Sequence, residues 1–146
     1  MNAIDLLTRD HKHLKTLLAR AVTAQGDERR EELIETLRSE LVAHERMEEE
    51  VFYPPLRDNK KTHDIVLEGY QEHHVADLIL DELLELPADS EMWKPKVKVL
   101  QENVEHHIEE EEDEMFKKAR KVLSEEQLEE LGARMEAVKK EAMAEE

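Results

Sequence analysis

The sequence predicts an all-α protein in which long amphipathic helices pack around one core. Glycine and proline are scarce, with three and four residues among 146. Charged residues make up 40% of the chain and hydrophobic residues 39%, so apolar side chains must be concentrated on helix stripes. Such a composition favours long helices over a sheet, and the length fits one domain.

The first two predicted helices span about residues 3–24 and 28–53. Apolar residues recur at helical spacing in both segments, and Gly26 marks the break between them. Pro54 and the proline that follows it are expected to end the second helix, because proline lacks an N–H donor and clashes with the preceding turn.

The next two predicted helices include residues 62–86 and a segment that runs to about residue 122. Pro87 ends the third helix. Asp89 and Ser90 can cap the fourth, because their side chains accept hydrogen bonds from the first free N–H groups of a helix.

The last predicted helix spans about residues 125–143, and its start is marked by a capping box of Ser124 and Gln127. It is strongly charged, so we expect it to lie against the other helices or to extend from them. The sequence therefore predicts a bundle over residues 1–122 and an additional charged C-terminal helix within 123–146.

The charge and the amino-acid composition exclude several classes of function. The formal net charge is −17, from 21 basic and 38 acidic residues, and a negative field repels nucleic acid and anionic membranes. Cysteine is absent, which excludes disulfides, thiolate metal sites and thiol catalysis. No apolar run approaches the roughly 20 residues of a membrane span, and the N-terminus lacks signal-peptide features. We expect a cytoplasmic protein.

Histidines interrupt the apolar stripes of the first four helices, and two of these stripes carry a glutamate four residues later. Residues four apart lie on one helix face, with Cβ atoms about 5–6 Å apart. Carboxylates are costly to bury without a compensating charge, which metal ions supply. The candidate metal ligands are His11, His44, Glu48, His73, His107 and Glu111.

The order of these residues repeats along the chain. His44 follows His11 by 33 residues, and His107 follows His73 by 34. The two halves therefore resemble two helical hairpins related by an approximate two-fold axis, each with two imidazoles and one carboxylate. Six ligands in two matched sets suit two metal ions bridged by the glutamates, an arrangement known in bundle cores.

Four segments, in order, resemble the motifs of the hemerythrin-like (HHE cation-binding) domain family. They are Asp10-His11, His44-x-x-x-Glu48, Glu72-His73 and His107-x-x-x-Glu111. The resemblance covers about residues 3–120 and implies an up-down-up-down four-helix bundle, with the fifth helix outside the match. It also implies that the six candidate residues hold two iron ions (Fe2+/Fe3+), for which we expect a solvent-derived oxo/hydroxo bridge.

One position departs from the oxygen-carrying hemerythrins, which have a second histidine four residues after the one on the third helix. Here that position is Asp77, four residues after His73. The missing imidazole disfavours plain reversible oxygen carriage. Glu45 and Asp77 are additional candidate ligands, and Tyr70 is expected to line the site or to belong to the core.

The other polar residues near these motifs are interpreted as solvated. His74 and His106 adjoin candidate ligands in sequence but point about 100° away on an ideal helix, so they are expected at the surface or beside the site. The acidic run 109–114 is interpreted as a solvated helix face, with the exception of Glu111.

Three functional hypotheses follow from these patterns. The first is a binding protein for O2, hydrogen peroxide or NO that acts in oxygen or oxidative-stress sensing or scavenging. The second is a catalase-like enzyme that dismutates peroxide, in which the metal does the chemistry. The third is a module for iron storage or sensing. No protein partner can be predicted from the sequence.

Overall fold

The computed structural model describes residues 1–145 and contains only helices and turns over this range, which confirms the all-α prediction. Residue 146, the end of the predicted segment 123–146, lies outside the described residues. The α-helices are α1 (Ala3–Thr23), α2 (Asp27–Met47), α3 (Tyr53–Arg57), α4 (His63–Glu85), α5 (Trp93–Glu110), α6 (Phe116–Val122) and α7 (Glu125–Ala144).

Two π-helical turns join these helices into longer rods. The first π turn (Glu48–Phe52) links α2 to α3, and the second π turn (Glu111–Met115) links α5 to α6. The bundle therefore consists of α1, the α2–α3 rod, α4 and the α5–α6 rod. None of the helices in residues 1–145 has the length and apolar character that a membrane crossing requires.

Helix continues beyond Pro54, so the prediction that this proline ends the second helix is wrong. In the first π turn the N–H of Tyr53 donates to the carbonyl of Glu48, five residues earlier. The two prolines then occupy the first turn of α3, which ends at Arg57. Proline is tolerated in a first helical turn, where its missing N–H needs no helical partner.

The core consists of two apolar layers with a polar layer between them. One layer contains Leu7, Phe52 and Phe116, and the other contains Leu14 and Leu100 with residues from all four rods. On α1 the segment 8–13 separates the two layers, and its buried residues are Asp10 and His11. The polar layer is therefore held in place by apolar packing on both sides.

The α7 helix packs against α1 and α2. Its capping box of Ser124 and Gln127 is present, as predicted. Apolar residues of α7 join the core layer that contains Leu7. At Gly132 the helix approaches the backbone of residues 1–3 so closely that a Cβ atom would collide with it. One face of the bundle is thus covered by the chain's own C-terminal helix.

Candidate metal centre

All six predicted ligands lie in the polar layer and are buried. They form two sets. Within each set, all of the ligand atoms lie within 4.8 Å of one another. The first set contains His11, His44, Glu48 and Glu111; the second contains Glu48, His73 and His107. Because Glu48 belongs to both sets, the two groups form one continuous centre.

Both glutamates face imidazoles from both sets. Glu48 Oε1 lies 2.9 Å from His73 Nε2 and 3.4 Å from His44 Nε2. Glu111 Oε1 lies 3.0 Å from His11 Nε2, and its Oε2 lies 3.3 Å from His107 Nε2. Each carboxylate therefore faces one imidazole of the first half and one of the second.

The Nδ1 atom of every one of these imidazoles faces a carboxylate that neighbours another ligand in the sequence. The pairs are His11 with Glu112 at 2.7 Å, His73 with Glu49 at 2.7 Å, His107 with Glu72 at 2.6 Å, and His44 with Asp10 at 3.4 Å. A carboxylate that accepts the Nδ1 proton fixes the orientation of the ring and raises the basicity of Nε2. The four Nε2 atoms are thus directed to the interior.

Sequence interpretation missed these four carboxylates. The acidic run 109–114 was interpreted as solvated apart from Glu111, and this is wrong for Glu112, which binds His11 and is about two-thirds buried. The signal available was adjacency, since each of these acids directly precedes or follows a ligand. They are Asp10, Glu49, Glu72 and Glu112.

The π turns explain how adjacent glutamates can serve two histidines. Glu48 and Glu111 are the first residues of the two π turns. A π turn inserts an extra residue into the helix and is common at functional sites. The residues that follow, Glu49 and Glu112, reach the outer nitrogens of His73 and His11, while the first residues reach the inner nitrogens.

A tyrosine that the sequence did not single out touches the centre. The Tyr53 hydroxyl donates to Glu111 Oε2 at 2.7 Å, and its ring stacks on His73 with centroids 5.6 Å apart. The predicted Tyr70 lies edge-on to the Tyr53 ring at 5.3 Å, one layer further out. Tyr53 follows Glu48 by five residues, as Phe116 follows Glu111, so a comparison of the two halves would have found it.

Glu45 and Asp77, the additional candidate ligands, bind each other beside the centre. Glu45 is buried. Burial raises its pKa to about 10, and the hydrogen bond with Asp77 raises it in the same direction. In the absence of metal, both effects favour the protonated form of Glu45. Neither residue belongs to the two ligand sets, and their coordination of a metal stays a prediction.

Opposite charges offset burial inside the centre. Burial lowers the pKa of His44, but the Glu48 and Asp10 carboxylates raise it more, to about 9. Burial raises the pKa of Glu48, yet His44 and other groups of the centre bring it well below the usual value. Protonated imidazoles thus compensate the carboxylates when no other cation does.

Two atoms of the centre test whether a metal ion fits there. Within residues 1–145, His44 Nε2 and Glu48 Oε2 are buried and have no hydrogen-bond partner. Buried polar atoms are rarely unsatisfied in folded proteins, and an ion is one explanation for such atoms. Imidazole nitrogens with carboxylate oxygens suit iron, manganese or zinc. The donor atoms therefore fit a metal pair.

A small cavity adjoins the centre. Its volume is about 10 Å³, and its polar lining includes His44, His73 and His107 together with Glu45. This volume is about that of one water-sized probe, so it admits roughly one very small molecule. Apolar side chains such as Leu14 complete the lining.

Comparisons with known proteins found a matching family model and similar individual proteins. Residues 2–119 match the family model described as the hemerythrin HHE cation binding domain. A crystal structure of an HHE cation binding domain-containing protein from Mycobacterium kansasii is similar, with a TM-score of 0.88 and 26% identity, covering 99% of this chain and 89% of that one. A DNA nickase from Nostoc sp. is 27% identical over 139 residues, which are 95% of this chain but 39% of the nickase.

Proposed function

Because the chain belongs to the hemerythrin HHE cation-binding domain family, we propose that it is a non-haem di-iron protein that binds O2, peroxide or NO. One observation carries this proposal. The two His/Glu sets share Glu48 and lie in one buried layer. A single closed site would need only four ligands for one ion, whereas this layer supplies six, with two imidazoles and one carboxylate from each half of the chain.

Iron is the metal proposed for both positions. His11 and His44 would hold one ion and His73 and His107 the other, with both glutamates shared. Nitrogen and oxygen donors without sulfur suit iron, and iron supplies the exchange of electrons with a bound oxygen species. The carboxylates that accept the Nδ1 protons would keep each imidazole oriented toward its ion. They are those of Asp10, Glu49, Glu72 and Glu112.

The size of the cavity supports a very small ligand. The cavity beside His44, His73 and His107 has a volume of about 10 Å³, which suits a ligand of a few atoms. Glu45 also lines this cavity. Tyr53 keeps Glu111 in place through its 2.7 Å hydrogen bond. These residues would position and enclose a small ligand beside the metal pair.

Peroxide turnover is the second candidate function, and Asp77 favours it. This residue lies one turn after His73 and binds Glu45, so it places no imidazole on the ion of the second set. An ion with fewer imidazoles has more room for solvent or peroxide. The reaction would be catalase-like dismutation, in which two molecules of hydrogen peroxide yield two of water and one of O2.

Direct mixing experiments test both candidates. The protein is loaded with Fe2+ without oxygen, freed of excess metal, and mixed with O2 in a stopped-flow spectrometer and with peroxide in an oxygen electrode. We expect rapid oxidation by O2, and peroxide turnover that releases O2. An Asp77→His variant should oxidise more slowly and release less O2. Spectra that do not change with any oxygen species would contradict the proposed function.

The Nostoc relative does not extend this proposal to DNA. The nickase activity belongs to a protein of which this chain matches only 39%. The net charge of −17 opposes binding to a polyanion. We therefore propose a small-molecule ligand and neither a nucleic acid nor a membrane as partner.

A further inference from the structure

A second group of side chains of the types that ligate metals lies on the surface between α4 and α5. Glu72, His106 and Glu110 offer ligand atoms that all lie within 4.8 Å of one another. His106 Nε2 lies 3.2 Å from Glu110 Oε2 and 3.8 Å from Glu72 Oε2. We refer to these three residues as the outer triad. One imidazole and two carboxylates are the donor types that zinc and Fe2+ accept.

Glu72 connects the outer triad to the buried centre. Its Oε1 accepts the Nδ1 proton of His107 at 2.6 Å, and its Oε2 faces His106. An ion held by the outer triad is therefore separated from the buried ligand His107 by a single carboxylate.

The first half of the chain shows what the equivalent position contains. Asp10 directly precedes His11, as Glu72 directly precedes His73. The Asp10 carboxylate faces His44 Nδ1, as the Glu72 carboxylate faces His107 Nδ1. The other oxygen of Asp10, Oδ1, accepts from Lys139 Nζ of α7 at 2.8 Å. A cation thus occupies the outer side of Asp10. At Glu72 this outer side holds His106 and Glu110 instead of a lysine.

The surface at the outer triad is open. The His106 side chain is 70% exposed, and the groove beside it has a volume of about 510 Å³. Glu68 and Glu72 also line this groove, so carboxylates dominate it. An ion can approach from solvent, whereas α7 covers the equivalent position in the first half.

We propose that Glu72, His106 and Glu110 bind one divalent transition-metal ion, and that iron reaches the buried centre through this site. Three protein ligands leave coordination positions for water, which suits an ion in transit better than a structural ion. The uptake role rests on the proposed di-iron function, but binding at the outer triad does not.

Metal counting tests the binding itself. Protein already loaded with iron is dialysed against Zn2+ over a range of concentrations, and iron and zinc are counted separately. The unmodified protein should hold one zinc in addition to its iron. His106→Ala and Glu110→Gln should each weaken zinc binding by at least about tenfold while the iron content is unchanged. Glu72 is left intact because it supports His107.

A matched control removes a different exposed histidine. His13 lies 3.5 Å from Glu40 and has a half-exposed side chain, but it belongs to none of the groups of metal-binding residues identified within 1–145. His13→Ala should keep the additional zinc. If the unmodified protein binds no additional zinc, or if His106→Ala and His13→Ala behave alike, the outer site does not exist.

The uptake role is tested by the rate at which apoprotein fills with Fe2+ at low micromolar concentration. His106→Ala should slow filling several-fold and reach the same final iron content. Equal rates with loss of the additional zinc would refute uptake while the outer site stands. Zinc binding that depends on His106 in a protein that holds no buried iron would refute the di-iron function and leave the outer site supported.

Discussion

The two halves of the bundle, α1–α3 and α4–α6, supply the same inner ligands but differ in what surrounds them. Each half contributes two histidines and the first glutamate of a π turn. Each histidine also has a carboxylate at Nδ1. The repeat therefore explains the ligand set, and the departures from it show how the two ends of the centre differ.

The two halves first differ in the aromatic residue that stacks on a histidine. Phe116 stacks on His11 with centroids 5.9 Å apart, as Tyr53 stacks on His73. Only Tyr53 has a hydroxyl, which binds Glu111. A Cβ atom at Gly69 would lie 2.7 Å from this hydroxyl, so glycine makes room for it. The equivalent position in the first half, four residues before His11, is Leu7.

The two halves also differ in what surrounds Asp10 and Glu72, the carboxylates that face His44 Nδ1 and His107 Nδ1. Asp10 is neutralised by Lys139 under α7, whereas Glu72 opens to the groove with His106. The small cavity is lined by His44 of the first half and by His73 and His107 of the second. The side of the centre at Asp10 is thus covered by α7, whereas the side at Glu72 opens to solvent.

The largest effect is expected when the shared part of the centre is removed. Glu48 and Glu111 both face imidazoles of both sets, so Glu48→Ala or Glu111→Ala should lower the affinity for both ions by at least about tenfold. Elemental analysis after gel filtration measures the iron per chain. Glu109 is an exposed acid of α5, two residues before Glu111. As a control, Glu109→Ala should keep the full iron content. Retention of both ions by either variant would show that its glutamate is not a bridge.

A pH titration compares the halves without metal. The pKa values of His44 and His73 are raised from 6.5 to about 9. Their protonated forms therefore stabilise the apoprotein fully below about pH 6.5, and this stability is lost as the pH rises through 9. Each pKa unit corresponds to about 1.4 kcal/mol, so the melting temperature should fall by several degrees between about pH 7 and 9.5.

Two variants and the metal-loaded protein sharpen that titration. His44→Gln and His73→Gln should flatten the slope of melting temperature against pH to a similar degree. Metal-bound nitrogens carry no proton, so the loaded protein should change little over this range. An apoprotein as insensitive to pH as the loaded form would mean that these imidazoles are neutral.

The smallest effect concerns the tyrosine that distinguishes the halves. Tyr53→Phe removes a hydrogen bond to a buried carboxylate and should cost about 1.5–3 kcal/mol of unfolding free energy. Gly69→Ala should also destabilise, because its Cβ would crowd the hydroxyl. In the double variant the cost should be less than the sum, as determined by urea denaturation. If the two losses of unfolding free energy were additive, the absence of a side chain at Gly69 would not be what makes room for the Tyr53 hydroxyl.

The repeated ligands could be predicted from the sequence because helical spacing places i and i+4 residues on one face. His44 with Glu48, and His107 with Glu111, needed no tertiary information to be paired. The all-α fold and the capping box of α7 followed from local signals in the same way.

Other features depend on tertiary contacts that spacing does not encode. Tyr53 reaches Glu111 across the bundle, 58 residues away in sequence. The prolines after Tyr53 predicted a helix end, but the helix continues. A π turn before them shifts the hydrogen-bond register by one residue, so that the prolines fall in a first helical turn. The contact of Lys139 with Asp10 requires α7 to fold back onto α1, which its charge-rich sequence left open.

We propose that the two halves together hold two ions in one shared site. The most direct measurement is the iron content per chain after anaerobic loading, combined with electron paramagnetic resonance of the oxidised protein. Two irons per chain, with no signal from isolated ferric ions because bridged ions couple magnetically, is the result that the shared carboxylates predict. One iron per chain with an isolated ferric signal would contradict it.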